Sequence, residues 1–143
     1  MTTPSELLNT LKSRGAHIAS PAPAQQISLI NATLREHRNA MLPKYMIDLY
    51  TLTGGINLGS GYIFGPTDII HAKTFVTPGI VQINNEVLSH SNGMTIFGRN
   101  DLFWFSFDAF GSFYILDNLT LKPLKKYDDP ARAITDCLIG GKF

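Results

Sequence analysis

Fifteen consecutive residues constrain the fold of this chain more than any others: Leu102-Phe103-Trp104-Phe105-Ser106-Phe107-Asp108-Ala109-Phe110-Gly111-Ser112-Phe113-Tyr114-Ile115-Leu116. Two runs of aromatic and β-branched residues flank a short segment rich in turn formers, the pattern of a β-hairpin. Eight of the fifteen aromatic residues fall between Phe97 and Tyr114, so this ribbon marks the centre of a sheet. With Asp108 to Gly111 as a four-residue loop, Phe107 faces Ser112, Phe105 faces Tyr114 and Phe103 faces Leu116. That register puts Phe103, Phe105, Phe107, Tyr114 and Leu116 on one face, and Trp104, Phe113 and Ile115 on the other. A bulge would shift this parity. Both faces are apolar and both need cover, from helices on one side and from loops or strands on the other. Phe110 at the tip is the exception: turn tips are usually polar, so an exposed Phe there is a candidate interface anchor.

The rest of the chain supplies the cover. Thr3-Pro4-Ser5-Glu6 is a helix start, with Thr3 as N-cap and Glu6 closing a capping box; Leu7, Leu8 and Leu11 form its apolar stripe and Gly15 ends it. After a Pro-rich connection, a second helix runs from about Gln25 to Arg38 with Ile27, Ile30 and Leu34 inward. A third, opened by Pro43, carries Met46, Leu49 and Tyr50 and closes at Gly54-Gly55. Tyr62 to Phe64, Met94 to Phe97, Leu102 to Phe107 and Phe113 to Leu116 read as strands. Ile80 to His90 is ambiguous, with Ile80, Ile83, Val87 and Leu88 fitting a helix face. A last helix starts at Asp129-Pro130 and turns Ala133, Ile134, Cys137 and Leu138 inward, ending at Gly140-Gly141. Helices first, strands in the middle and a C-terminal helix predict an α+β fold with a central, mostly antiparallel sheet. Residues 1–143 make one domain, long enough to bury roughly 68–70% of its unfolded surface.

Charge and composition narrow the function. Twelve basic residues stand against eleven acidic ones, a net charge of +1, whereas a domain that binds nucleic acid through phosphates carries a clear basic excess. Neither nucleic acid nor membrane is expected as a partner. The start has no basic and apolar leader pattern and no apolar run approaches ~18 residues, so a cytoplasmic protein is expected. Cys137, the one cysteine, excludes an internal disulfide and a cysteine zinc site and reads as a small core residue. His17, His37, His71 and His90 show no metal-ligand spacing. Gly54-Gly55-Ile56-Asn57-Leu58-Gly59-Ser60-Gly61 follows a helix, precedes a strand and contains no Lys, so it does not have the layout of a phosphate loop. Asp108 and Asp129 suit turn and N-cap roles, and Lys122, Lys125 and Lys126 a solvated segment. No catalytic residue, cofactor or metal is expected.

The segment Leu42-Pro43-Lys44-Tyr45, continued by Leu49-Tyr50 and Thr53-Gly54-Gly55, resembles the Leu-Pro-x-x-Tyr helix and Gly-rich turn of the SUKH superfamily. Ile96-Phe97-Gly98-Arg99-Asn100-Asp101 and the following Leu102-Phe103-Trp104-Phe105 are similar to its strand, Gly-x-x-Asp turn and aromatic strand; Gly111 to Asp117 resembles the returning strand. The match spans roughly residues 25 to 140 and leaves helix 3–14 outside. The related GAD-like/Tdi immunity proteins carry a comparable Gly-Asp-aromatic segment. The resemblance implies a structural turn role for Gly98 and Asp101. Its members include many bacterial immunity proteins that neutralise a toxin domain.

The expectation is therefore an immunity protein that binds and occludes a cognate toxin domain without catalysis, through aromatic anchors and a polar rim. Asp101, Trp104, Asp108, Phe110 and Asp117 are the expected contact residues, with the three aspartates as a local acidic patch. An adaptor module of the same fold is the alternative, and an enzyme built on the 54–65 loop with His71 is the third.

Overall fold

The computed structural model describes residues 2–71, 75–86 and 93–140. Helix α1 (Pro4–Ser13) begins with the expected reciprocal cap: the Glu6 amide donates to Thr3 Oγ1 (3.2 Å) and the Thr3 amide to Glu6 Oε1 (3.1 Å), while Leu7, Leu8 and Leu11 are buried. Strand β1 (His17–Ile18) follows, then α2 (Ala24–Glu36) and α3 (Lys44–Tyr50). Their inward residues are those of the sequence pattern: Ile27, Ile30 and Leu34 on α2, and Met46, Leu49 and Tyr50 on α3. The linker between them is tied to the sheet by two long-range bonds. Thr95 Oγ1 donates to the Ala40 carbonyl (2.6 Å) and Asn39 Nδ2 to the Met94 carbonyl (3.1 Å).

The Gly-rich stretch is a hairpin of β2 (Ile56–Leu58) and β3 (Gly61–Ile63). A two-stranded unit, β4 (Ile69–His71) and β5 (Phe75–Thr77), and α4 (Ile80–Glu86) come next. Ile80 and Ile83 of α4 are buried, whereas Val87, Leu88 and His90 lie outside the described residues. The aromatic region forms β6 (Thr95–Arg99), β7 (Phe103–Phe107) and β8 (Phe113–Asp117), and β9 (Pro123–Tyr127) precedes α5 (Pro130–Thr135) with its π-helical extension, Asp136–Gly140. Seven strands form one sheet in the order β1-β2-β3-β6-β7-β8-β9, every pair antiparallel, so the fold is α+β.

The hairpin register differs from the one read off the sequence. Phe107 pairs with Phe113, Phe105 with Ile115 and Phe103 with Asp117. The loop is one residue longer than four, because the Asp108 amide donates to the Ser112 carbonyl (3.0 Å) and Gly111 takes a left-handed φ of 80°. An Asp followed three residues later by a left-handed Gly is the chemistry of that longer turn. One step of register moves a whole strand to the other face. Phe105, Phe107, Phe113 and Ile115 therefore share a face, and Trp104, Ser106, Tyr114 and Leu116 share the other. On the first face Phe97, at a bulge in β6, stacks on Phe107 (5.9 Å between centroids) and meets Phe113 edge-on (5.3 Å).

The α5 extension packs on that same face. Cys137 Sγ donates to the Tyr62 and Arg99 carbonyls (3.6 and 3.4 Å), and a Cβ on Gly61 would stand 2.5 Å from the Cys137 carbonyl oxygen. Gly98 is a close-approach residue of β6 rather than a turn residue: its missing Cβ would meet the Tyr62 carbonyl at 2.8 Å. The turn into β7 is made by buried Asn100, whose Oδ1 accepts the Leu102 and Phe103 amides (2.9 Å each) and whose Nδ2 donates to the Cys137 carbonyl (3.2 Å). Asp101 stays exposed. Beyond the end of β3, Asn84 of α4 stands in for a neighbouring strand by accepting the Ile96 amide (2.8 Å) and donating to the Ile96 carbonyl (2.9 Å).

Candidate protein-binding surface

Asp108 fixes the tip of the β7–β8 hairpin. Its Oδ1 accepts the amides of Phe110 (2.9 Å) and Ser112 (3.0 Å), and its Oδ2 accepts the Tyr114 hydroxyl (2.9 Å). Partial burial alone would raise its pKa, but these donors, those of Ser112 and Tyr114 foremost, favour the anion and hold it below the ordinary carboxylate range. The turn also lies against the α2–α3 linker, with Gly111 beside Pro43. On this braced frame Phe110 is 94% exposed, the most exposed large apolar residue among those described.

The other expected contact residues do not join it. Trp104 is only 6% exposed and lies beneath the Arg99 guanidinium, 4.7 Å from the ring centroid, so it is a covered side chain and not an anchor. Asp117 belongs to the opposite turn, where its Oδ2 accepts the Leu119 and Thr120 amides (2.9 and 2.7 Å) and the Thr120 hydroxyl (3.0 Å). Asp101 precedes β7, at that same far end. A strand of this length separates Asp108 from Asp117 by roughly 17 Å, so the three aspartates form no common acidic patch.

The tip instead faces cations. An open groove of about 730 Å³ lies between the hairpin loop and the end of α2, walled by Arg35, Arg38, Met41 and Lys44 on one side and by Asp108 and Phe110 on the other. Lys44 pairs with Asp48 (2.9 Å), the one salt bridge among the described residues. Arg38 occupies the position just past the α2 cap with a left-handed φ of 59°. The bonds around it are those of a Schellman ending: the Asn39 amide donates to the Leu34 carbonyl (2.9 Å) and the Arg38 amide to the Arg35 carbonyl (3.1 Å). Sequence reasoning missed Arg35, Arg38, Met41 and Lys44, because nothing in a helix end links it to a turn some seventy residues later.

No protein-family description, curated protein or solved structure matches this chain. The site therefore has to be read from its own chemistry, which is apolar contact at Phe110 and Met41 beside guanidinium donors. Elsewhere, the Gly-rich segment is packed closely at three glycines, with Gly54 against the Ser20 carbonyl, Gly65 against that of Gly54 and Gly61 against that of Cys137, and an open pocket of about 310 Å³ lies beside its Ser60, Tyr62 and Phe64. The His71 side chain and all of His90 lie outside the described residues. Burial pushes the Cys137 thiol pKa up and keeps it protonated, the form that can donate to the Tyr62 and Arg99 carbonyls. Among the described residues no three His, Cys, Asp or Glu side chains are grouped to hold a metal, and no helix is long and apolar enough to cross a membrane.

Proposed function

We propose that this chain is a non-catalytic inhibitor, an immunity protein of the SUKH type that binds a cognate toxin domain and occludes its working surface. The observation that carries the reading is Phe110: a large aromatic side chain held out in solvent on a turn braced by Asp108 and by the α2–α3 linker. Burying a ring that is already positioned gains apolar contact with little loss of conformational freedom, which is how interface anchors reach high affinity. The near-neutral charge of the whole chain fits recognition by shape and local contacts better than mimicry of nucleic acid, which calls for a strongly acidic surface.

The test is co-expression with the toxin encoded by the gene immediately upstream. Growth rescue and a complex on gel filtration are expected, with Phe110→Asp abolishing both while the isolated variant keeps its thermal stability. A toxin that still kills, with no complex formed, overturns the proposal.

A further inference from the structure

We infer that the groove beside Phe110 is built for an acidic segment of a protein partner, with Arg35 and Arg38 reading its carboxylates and Phe110 and Met41 taking a neighbouring apolar side chain. The inference deepens, and rests on, the reading of the hairpin tip as a protein-binding surface. Its first support is charge. Three cations line the groove; Lys44 is paired with Asp48, while Arg35 and Arg38 make no ion pair among the described residues. Among the described residues the only carboxylate lining the groove, that of Asp108, is already committed to two amides and a hydroxyl. The guanidinium donors are therefore left for an incoming anion, and a guanidinium fork matches a carboxylate in two parallel hydrogen bonds.

The second support is where Arg38 sits. The position after a Schellman cap is the one where glycine is most favoured, since a side chain there strains the left-handed backbone. An arginine kept at φ 59° holds its charge at the groove wall at the expense of local stability, the arrangement found where side chains serve recognition. The apolar share of the groove decides between partners. Met41, Leu42, Pro43, Ala109 and Phe110 contribute to it alongside the cations, whereas a nucleic-acid track needs a stripe of cations and a basic chain.

The test selects random peptides displayed on phage against the immobilised full chain and, in parallel, against Arg35→Glu/Arg38→Glu. Peptides from the native chain are expected to be enriched in Asp and Glu next to an aromatic or aliphatic residue, and the double variant is expected to lose them. A synthetic copy of the best peptide, followed by fluorescence anisotropy, should bind Arg38→Gly at least about tenfold more weakly, with Arg38→Lys in between and added salt weakening binding to the native chain. The melting temperature of Arg38→Gly, equal to or above that of the native chain, excludes misfolding as the cause. Selection without acidic enrichment, unchanged binding by Arg38→Gly, or tighter Arg38-dependent binding of a short single-stranded oligonucleotide overturns the inference. The two readings fail separately. A toxin complex broken by Phe110→Asp but indifferent to Arg38→Gly removes only the groove, and acidic peptides bound without any toxin neutralised remove only the immunity function.

Discussion

At one end of β8 the chain turns through Asp108–Ser112, and at the other through Asp117–Lys122. In each turn one aspartate carboxylate collects two backbone amides and a hydroxyl, and in each an apolar residue stands in solvent, Phe110 at one end and Leu119, 89% exposed, at the other. The turns differ in their surroundings. The Leu119 turn closes on itself through Asp117 and Thr120, whereas the Phe110 turn lies against Pro43 and shares a groove with Arg38 and Met41. An exposed apolar residue is by itself an ordinary surface feature. Braced against a second element and set beside two arginines that make no ion pair among the described residues, it becomes part of a surface with a definite chemistry.

The harshest way to break the comparison is to remove what the two turns share. Phe105→Ala empties a fully buried position between them and should cost about 3–5 kcal/mol in urea denaturation, melting both ends together. Next comes the difference itself: Phe110→Ser should weaken binding of the proposed toxin partner by about 2 kcal/mol or more, measured by calorimetry, and Leu119→Ser should leave it unchanged. Both substitutions should leave stability within about 0.5 kcal/mol.

Asp108→Asn probes the brace, at about 1–2 kcal/mol of stability at neutral pH. Both turn carboxyls titrate below the ordinary carboxylate range, Asp117 because the Thr120 and Leu119 amides and the Thr120 hydroxyl favour its anion. A lowered folded pKa adds stability that is complete above the unfolded value of about 3.9 and is lost as pH falls through the folded value. The gap between native protein and Asp108→Asn should therefore narrow below about pH 4 in acid titrations of unfolding. The smallest effect separates two strained residues. Arg38→Gly relieves a left-handed backbone at an exposed side chain and should stabilise by about 0.5–1 kcal/mol. Leu121, at φ 61° in the other turn, packs its half-buried side chain on the core, so Leu121→Gly should give no net gain in thermal melts.

Much of this architecture is legible in the chain, and the legible parts share a cause. The Thr3 and Asp129 caps, the inward stripes of α1, α2 and α3, and strands β6, β7 and β8 depend on residues close in sequence. The one-residue error in hairpin register had a local signal as well, in the Asp108 and Gly111 spacing. Strands β1, β2, β4 and β5 span two or three residues, too few for an alternation to be read, and β9 contains Pro123, Lys125 and Lys126, residues of low strand propensity that suit an exposed sheet edge.

The candidate surface divides in the same way. Phe110 can be singled out from sequence alone, because an aromatic at a turn tip has no local reason to be there. Trp104 cannot be judged so, since its cover is Arg99 across the β6–β7 pairing. The sequence by itself determined an α+β chain centred on an aromatic hairpin with an exposed ring at its tip, because periodicity and turn chemistry act over a few residues. Only the tertiary structure decided that this ring shares a groove with Arg35 and Arg38 while the aspartates part to opposite ends, because charges gather by packing between elements that no local pattern connects.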